Sequence, residues 1–406
     1  LAKTMARKVE RALVNTYGPD SMPTVEDIQD VVENVLIENR KSRIAKNYII
    51  YRHQRAMARS AKDYPFEVYD RVPYRILYEV LRWNMDHNCS SVTELNKTIT
   101  SGNFPALVKE SEKRYNDEIR LAAEKILSGI GKTRMIIIAG PSSSGKTTTT
   151  IKLAEHLKKE KIGLKTINVD NYFFDLSKHP KDEFGDYDYE TPEALDMDLI
   201  NRHLVDLLNG KAVKTPHYDF KTGKRKLNVH EMKLGKRELL LMDSLHGLHE
   251  KMTGSVEESS KFSVYIETLS QFKTGDGSMM RWSDNRLLRR MCRDKDHRNL
   301  KPAQTIAHWH YVRRSELKYI IPFIAGVDYI INTAMPYELP LFKNRLSRYV
   351  SDCVRKYRND PKRLDASIRS GRLNELLGPI KAIRDDSCVP SDSLVREFIG
   401  GSRYRY

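Results

Sequence analysis

The amino-acid sequence predicts an α/β fold in which a doubly wound, mostly parallel sheet follows an all-helical N-terminal region. Short apolar runs typical of buried parallel strands recur from Met135 onward, and helical segments separate them. A glycine-rich motif directly follows the first of these runs. Before that run, the apolar residues recur at helical spacing, with no convincing strand. The predicted strands are residues 135–139, 165–169, 239–242, 262–266 and 329–332.

The chain is predicted to contain four parts. The parts are a helical domain (1–58), a helical connector (59–130), the sheet domain (131–345) and a C-terminal helical extension (346–406). In the first part Thr24 is placed to cap a helix, because its hydroxyl can accept an orphan backbone N–H. Further helices are expected at 44–55, 74–83, 91–99, 110–127 and 147–160. The extension is expected to pack on the sheet domain without chemistry of its own.

Composition and charge fit a folded protein of the cytoplasm. Hydrophobic residues make up 40% of the 406 residues, and the four cysteines lie far apart, as expected in a reducing compartment. No apolar run approaches the roughly 18–20 residues that span a bilayer. The first residue is Leu1 and not Met, so the sequence is expected to begin inside a longer protein. The net charge of +16 suits nucleic acid or small polyphosphates, although surplus surface Lys and Arg also explain most of it.

The glycine-rich motif is the strongest functional signal. Residues 140–147 match G-x-x-x-x-G-K-[ST] in full, between a predicted strand and a predicted helix. Gly140 and Gly145 allow the backbone N–H groups to point at phosphate oxygens. Lys146 can reach the β- and γ-phosphates, and the Thr147 hydroxyl can ligate Mg²⁺. The sequence therefore predicts a site for Mg-ATP, whose other members are Ser142, Ser143, Ser144 and Thr148.

Two carboxylates follow predicted strands that should end beside this motif. Asp170 comes directly after the strand at 165–169, where it could orient and deprotonate an acceptor hydroxyl. A turn-forming aspartate would occur in the same context. Asp243 follows the strand at 239–242. Together with Thr147 and Asp170, it is predicted to hold Mg²⁺.

An arginine-rich segment provides candidate cations for the same phosphates. Arg286, Arg290 and Arg293 stand at i, i+4 and i+7, so a helix would present them on one face. Three cations on one face repel unless an anion lies opposite, and a triphosphate is a suitable anion. Arg286 and Arg290 are predicted to stabilise the transferring phosphoryl group, and Arg293 to bind ATP. A solvated basic helix is the alternative interpretation.

In their order along the chain, these motifs resemble the phosphoribulokinase/uridine kinase family over about residues 134–345. The matching blocks are VDNYFFD (169–175), DEFGDYDYETPEALD (182–196), TPHYDFKTGKR (215–225), LLLMDSLHGL (239–248) and DNRLLRRMCRD (284–294). The resemblance implies an enzyme that transfers a phosphoryl group from ATP to a hydroxyl of a small metabolite. It further implies that Asp170 is the catalytic base and that Asp188 and Tyr218 line the acceptor pocket, with Tyr172 beside it. The arginine segment would be a lid over ATP, and Arg286 would also contact the acceptor.

Three positions depart from the pattern of the uridine-specific members. Asp243-Ser244 replaces their Glu-Gly pair, and Gly223 stands where they carry a base-contacting His. Arg298-Asn299 replaces the usual Arg-Gly at the lid. A nucleoside is therefore the leading acceptor, with a sugar or sugar phosphate second, since Lys224 and Arg225 could face a phosphorylated acceptor. A nucleic-acid-associated ATPase and a catalytically silent nucleotide sensor are the alternatives from other classes.

Residues 23–55 resemble the later helices of the ATP-cone, a regulatory nucleotide-binding module. The resemblance implies a nucleotide effector at the N-terminal domain or a role in assembly, and a homo-oligomer is expected. The opening β-hairpin of that module would lie before Leu1. The last residues, VPSDSLVREFIGGSRYRY (389–406), resemble the ending of bacterial nucleoside-kinase-like proteins.

Overall fold

The chain forms two compact units, Leu1–Val72 and Pro73–Tyr406. The computed structural model describes residues 2–17, 23, 25–41, 43–50, 73–181 and 191–405. Residues 73–130 and 346–405, which the sequence predicts as a connector and an extension, belong to the same unit as the sheet. Asp188 lies outside the described residues.

The first unit is helical wherever its regular structure is described. It contains α1 (Ala2–Thr16), α2 (Val25–Glu38) and a third helical stretch, α3, at residues 43–50. Helix α1 packs against α2, and a small core buries Val35, Leu36 and Ala45. The helix predicted at 44–55 is confirmed as far as residue 50, and its remaining residues lie outside the described part.

The second unit is built on a five-stranded parallel sheet. Its strands are β1 (Met135–Ala139), β2 (Gly163–Asn168), β5 (Glu238–Asp243), β6 (Lys261–Glu267) and β7 (Tyr329–Asn332). Their order is β2-β5-β1-β6-β7, and every pair is parallel. All five predicted strands are therefore confirmed, and the chain reverses its direction of winding at β1. In doubly wound sheets, ligands bind beyond the carboxyl ends of the strands at this reversal.

Helices cover both faces of the sheet, which explains why β1 is buried along its whole length. Ile136 and Ile138 point into the larger core, and Met135 and Ile137 point into a second core on the opposite face. This alternation follows from the period of two along a strand. The helices of this unit are α4 (Tyr74–Asp86), α5 (Val92–Thr100), α6 (Phe104–Ser128), α7 (Lys146–Lys159), α8 (Met197–Leu208), α9 (Trp282–His297), α10 (Pro302–Tyr319), α11 (Glu338–Tyr357), α12 (Leu364–Leu377) and α13 (Arg396–Ile399). Within the described ranges, no helix combines the length and apolarity needed to cross a bilayer.

The strands of an antiparallel hairpin, β3 (Val213–Asp219) and β4 (Lys224–Met232), were not predicted from the sequence. Strand β4 is exposed along nearly all of its length, so it lacks the alternation of buried and exposed residues that identifies most strands. Pro216 also argues against a strand, but it lies where the register of the pair shifts between Thr215 and His217. Proline is tolerated at such irregularities, because no regular ladder hydrogen bond is lost there.

Helix α6 begins at Phe104, earlier than its predicted start at residue 110. Pro105 lies in its first turn, where the missing N–H would have had no partner inside the helix. The helix continues to Ser128 and packs against α7 and β7. Its Glu118 accepts a hydrogen bond from the backbone N–H of Asn332, at 2.8 Å. Helix α6 therefore supports the end of β7, the strand from which the chain passes to α11.

Glu118 predicts a measurable pH dependence of stability. Burial raises its pKa to about 7, although the nearby Arg114 opposes the shift. Because the folded state holds this proton more tightly than the unfolded state, Glu118 makes stability rise as pH falls from 8 toward 5. Replacing Glu118 with Gln should therefore stabilise the protein more at pH 8 than at pH 5.5.

The measurement is urea unfolding followed by tryptophan fluorescence, since Trp83, Trp282 and Trp309 are the three tryptophans of the chain and all belong to the second unit. Glu124→Gln, at an exposed position of the same helix, is the matched control. The prediction would be wrong if the free energy of unfolding changed by the same amount between pH 8 and pH 5.5 in wild type and in Glu118→Gln.

Candidate active site

The loop between β1 and α7 has the form of a phosphate cradle. Gly140 passes so close to β6 that an added Cβ would lie 2.2 Å from the carbonyl oxygen of Ile266. Gly145 has a φ of +91°, and an added Cβ would collide with the Leu394 side chain at 2.3 Å. Ser143 also has a positive φ, +61°, which is unusual away from glycine and frequent at functional loops. Glycine is therefore required at both 140 and 145, as predicted.

Lys146 lies at the first position of α7, where its ammonium group donates to the carbonyl oxygens of Gly140 at 2.7 Å and Pro141 at 3.3 Å. Burial lowers its pKa, and the negative charge of Asp243 opposes that shift. The ammonium group is thus held at the mouth of the loop, in a position suited to a ligand with several negative charges.

Asp170 and Asp243 converge on Lys146 from two neighbouring strands. Asp243 is the last residue of β5, and Asp170 lies in a short 3-10 helix, Val169–Tyr172, that directly follows β2. Desolvation raises the pKa of both carboxyls, and Lys146 opposes the shift in each case; Asp170 further raises the pKa of Asp243. Asp170 still reaches solvent.

The donor set at this edge fits Mg²⁺. Asp243 and Asp170 supply carboxylate oxygens, and the exposed Thr147 supplies a hydroxyl at the N-terminus of α7. Hard oxygen donors of this kind are those that Mg²⁺ prefers. The mutual repulsion that helps to raise the pKa of Asp243 is what a divalent cation would relieve.

The predicted arginine helix is α9, and it packs against the phosphate loop. Arg290 donates to the Ser142 hydroxyl at 2.7 Å, and Arg293 donates to the Ser143 hydroxyl at 3.2 Å. Burial, together with the nearby Arg298, lowers the pKa of Arg293 to about 10. The structure therefore brings both guanidinium groups to the loop that the sequence assigned to the phosphates.

The anion predicted opposite the three arginines is partly supplied by carboxylates of the fold, since Asp294 lies 2.9 Å from Arg290 and two carboxylates surround Arg286. Its Nε lies 2.8 Å from Glu267, and it also donates to both carboxylate oxygens of Glu316. Burial lowers its pKa, but these two carboxylates more than offset burial, so the net shift is upward. Arg286 is 1% exposed and touches the loop through the Ser142 carbonyl oxygen at 3.3 Å. It is bound within the fold, whereas Arg290 and Arg293 are partly exposed.

Two residues that the sequence did not single out join the loop to the rest of the unit. Arg289 is fully buried, donates to the carbonyl oxygens of Ser144 and Thr333, and forms an ion pair with Glu338. Glu397, in the C-terminal helix α13, accepts a hydrogen bond from the Thr148 hydroxyl at 2.8 Å. Arg289 follows Arg286 at i+3, a spacing that offered some signal, but nothing local in the sequence indicates Glu397.

On the acceptor side, the structure corrects the role predicted for Tyr172. Its side chain is fully buried in the second core, where its hydroxyl lies 2.8 Å from His203 Nδ1. It points away from solvent because it belongs to the face of the 3-10 helix that packs on α8. Asp170, two residues earlier, lies on the exposed face. Tyr172 therefore cannot flank an open pocket.

Aromatic rings from the hairpin instead pack against Phe173, three residues after Asp170. The Tyr218 ring lies 5.5 Å from that of Phe173 and 5.0 Å from that of Phe220. Phe220 is 64% exposed, so the cluster reaches solvent on one side. The backbone N–H of Tyr218 donates to Asn171, which ties the hairpin to the segment that carries Asp170.

The departures from the uridine-specific pattern have structural consequences. Gly223 has a φ of +65°, and an added Cβ would lie 2.8 Å from Leu176, so this turn excludes a histidine side chain. Arg225 forms an ion pair with Asp196 at 2.9 Å, which leaves Lys224 as the exposed cation of the pair. Asn299 has a φ of +51°, a conformation that asparagine tolerates better than most residues. It can therefore stand where the family carries glycine.

The sheet order, the phosphate loop and the two strand-end carboxylates define the class of P-loop phosphotransferases. The model of the phosphoribulokinase/uridine kinase family matches residues 135–338, which is half of the chain, and the model of the ATP cone domain matches residues 1–57. The chain belongs to the phosphoribulokinase/uridine kinase family and carries an ATP-cone domain before the kinase fold.

Curated relatives match the kinase half of the chain. A uridine kinase from Brevibacillus brevis is 27% identical over 203 residues, which are 50% of this chain and 86% of the relative. A uridine kinase from Staphylococcus aureus is 29% identical over 200 residues, 49% of this chain and 87% of the relative. A solved structure described as "a Possible Uridine Kinase from Bacillus stearothermophilus" is 16% identical, with a TM-score of 0.37, and the match covers 53% of this chain and 98% of that one. A score this low adds no argument, so the fold class rests on the sheet order itself.

Proposed function

We propose that the chain is an ATP- and Mg²⁺-dependent kinase that phosphorylates a hydroxyl group of a nucleoside. One observation carries the proposal: Asp170, just after β2, and Asp243, at the end of the neighbouring β5, both interact with Lys146 at the edge of the sheet where ligands bind. The curated relatives, which are uridine kinases, support a nucleoside as acceptor.

The side chains divide the reaction among them. Asp170 accepts the proton of the acceptor hydroxyl, and the hydroxyl oxygen forms a bond to the γ-phosphorus. The bond between that phosphorus and the β–γ bridging oxygen breaks, and ADP leaves. Lys146, Arg290 and Arg293 stabilise the negative charge on the phosphate oxygens. Mg²⁺, held by Thr147 and Asp243 and near Asp170, would supply additional positive charge when bound. Arg286 is paired with two carboxylates, so we assign it the task of holding α9 on the loop.

The surroundings of Asp170 favour a planar acceptor over a phosphorylated one. Phe220, which is exposed, and the half-buried Phe173 supply apolar ring faces, which suit stacking with a nucleobase. The buried Tyr218 packs against both rings. The alternative of a sugar phosphate needs free cations, and of the two that the sequence offered Arg225 is engaged by Asp196, which leaves Lys224. We therefore rank nucleosides first and sugars or sugar phosphates second, with Asp188 retained as a proposed acceptor contact.

A mass-spectrometric screen tests the proposal. The full chain is incubated with Mg-ATP and a panel of nucleosides, sugars and sugar phosphates, with Lys146→Ala as the control. We expect a single nucleoside monophosphate that is absent from the control. A phosphorylated sugar would move the assignment to the second acceptor class. ATP binding without any product would favour the nucleotide sensor, and RNA- or DNA-stimulated ATP hydrolysis would favour the nucleic-acid-associated ATPase.

The ATP-cone domain is proposed to bind a nucleotide effector. In Lys146→Ala, whose phosphate loop is disabled, any ATP or dATP that still binds must occupy another site. Residual binding with a shift in oligomeric state would support an effector role in assembly. If Lys146→Ala binds neither ATP nor dATP, the effector is removed from the proposal and the kinase assignment is unaffected.

A further inference from the structure

The C-terminal segment 389–401 contacts the phosphate loop, α7 and α9. Leu394 occupies the space that a side chain at position 145 would need, and Glu397 accepts a hydrogen bond from Thr148. The guanidinium carbon of Arg289 lies 5.1 Å from the centre of the Phe398 ring. All three side chains are buried. The segment therefore underlies both the loop and the arginine helix, although it lies outside the stretch that matches the kinase family.

Separate contacts anchor the segment to the kinase core. The Ser393 hydroxyl donates to Glu112 of α6 at 2.6 Å, and Asp392 forms an ion pair with the buried Lys152 of α7 at 3.2 Å. Arg396 binds back onto Asp386 and the Val389 carbonyl oxygen. These anchors do not involve Glu397. They therefore fix the backbone that carries Glu397 even when its carboxylate is removed.

A buried carboxylate beside a polyanion site needs a reason, because like charges repel. Glu397 is 4% exposed, and one of its oxygens lies 3.6 Å from Arg293. Arg293 has few other anchors: burial and Arg298 both disfavour its charge, and its Nε has no hydrogen-bond partner. Among the neighbouring charged groups, the Glu397 carboxylate favours that charge most strongly. Without Glu397, the partly exposed guanidinium would gain more hydration by turning outward than by staying at Ser143.

From these contacts we infer that Glu397, which the Thr148 hydroxyl helps to fix, is a positioning residue of the nucleotide site that holds Arg293 in the arrangement that receives the phosphates of ATP. The inference rests on the proposed function only in requiring that ATP binds at this loop. It assigns to the C-terminal segment a part in nucleotide binding that the sequence did not predict.

The test measures Mg-ATP binding by calorimetry in the full chain, so that it does not depend on the acceptor. Lys146→Ala identifies the share of binding that belongs to the phosphate loop, separately from any site in the ATP-cone domain. Glu397→Gln keeps the shape of the side chain and removes its charge. We expect this change to weaken the affinity of the phosphate loop for Mg-ATP about tenfold, as the loss of one charge-assisted contact does. Glu375→Gln, at an exposed position of α12, is the matched control and should bind as wild type does.

A second background separates positioning from a general loosening of the C-terminal segment. If Glu397 acts through Arg293, Glu397→Gln should have little further effect in Arg293→Met. Equal weakening in both backgrounds would indicate that the segment has detached, and it would overturn the inference. Mg-ATP binding by Glu397→Gln that is unchanged or tighter would also overturn the inference about Glu397. If Lys146→Ala still abolishes Mg-ATP binding at the phosphate loop, the kinase proposal stands.

Two further results complete the design. If wild type and Lys146→Ala bind ATP identically, the phosphate loop is not a nucleotide site, and the proposed function fails together with the inference. If Glu397→Gln does not fold, Glu397→Asp keeps the charge but shortens its reach. It should weaken binding in the wild-type background and not in Arg293→Met, and the opposite pattern counts against the inference.

Discussion

Replacing Asp170 with Asn should lower kcat about a thousandfold, within the range of losses expected for a general base, while Mg-ATP still binds. The amide retains the size of the side chain and cannot accept the hydroxyl proton. Lys146→Ala should instead lose ATP binding at the phosphate loop, because it removes the ammonium group from the loop. Steady-state kinetics with the acceptor found in the screen, together with calorimetry, distinguish the two variants. Asp206→Asn, at a position on α8 whose side chain is 38% exposed, is the control for an uninvolved carboxylate.

The pH profile gives this prediction a second readout. Asp170 works only when ionised, and desolvation raises its pKa against the opposing effect of Lys146. Activity should therefore fall with decreasing pH at a higher pH than an ordinary aspartate would give, and this acidic limb should be absent from the residual activity of Asp170→Asn. A variant that retains the wild-type rate and the same limb would exclude Asp170 as the base.

The parts of the site that the sequence could predict are those whose geometry is local. The phosphate loop needs glycines, a lysine and a threonine at fixed spacing between a strand and a helix, and every one of these requirements can be read within residues 135–160. Asp170 and Asp243 were predictable for a related reason. Parallel strands of one sheet end at the same edge, so a residue that follows a strand has a known location.

The partners of the arginines were not predictable, because they come from distant parts of the chain. Glu397 is separated from Thr148 by 249 positions, and Glu316 is separated from Arg286 by 30. Helical spacing shows that arginines share a face, but it does not show what that face meets. The position predicted for the Tyr172 side chain was wrong for a similar reason. A turn of 3-10 helix can direct an aromatic side chain inward or outward, and the packing of α8 determines which.

Arg289 and Glu338 provide the largest expected effect on stability. Both side chains are 0% exposed, and Arg289 Nε lies 2.7 Å from Glu338. Removing one member of a buried ion pair leaves the other charge without water or counterion, which typically costs about 3–5 kcal/mol. Glu338→Gln and Arg289→Met should each lower the free energy of unfolding by about that amount. The double variant should lose clearly less than the sum, because it leaves neither charge unpaired.

The matched comparison is an exposed pair. Arg120 and Glu124 lie 2.7 Å apart on α6 with side chains 47% and 55% exposed, and breaking such a pair costs at most about 1 kcal/mol. Urea unfolding followed by tryptophan fluorescence measures all of these variants in the second unit. Equal losses for the buried and the exposed pair would contradict the assignment.

The same pair also connects stability to the site. Arg289 donates to the carbonyl oxygens of Ser144 and Thr333, so Glu338 holds the guanidinium group that ties the phosphate loop to the end of β7. If this connection is rigid, Glu338→Gln should weaken Mg-ATP binding even at low temperature, where the protein remains folded. Arg120→Met should leave that binding unchanged. A Glu338→Gln variant that is unstable but binds Mg-ATP as wild type does would restrict the pair to a role in folding.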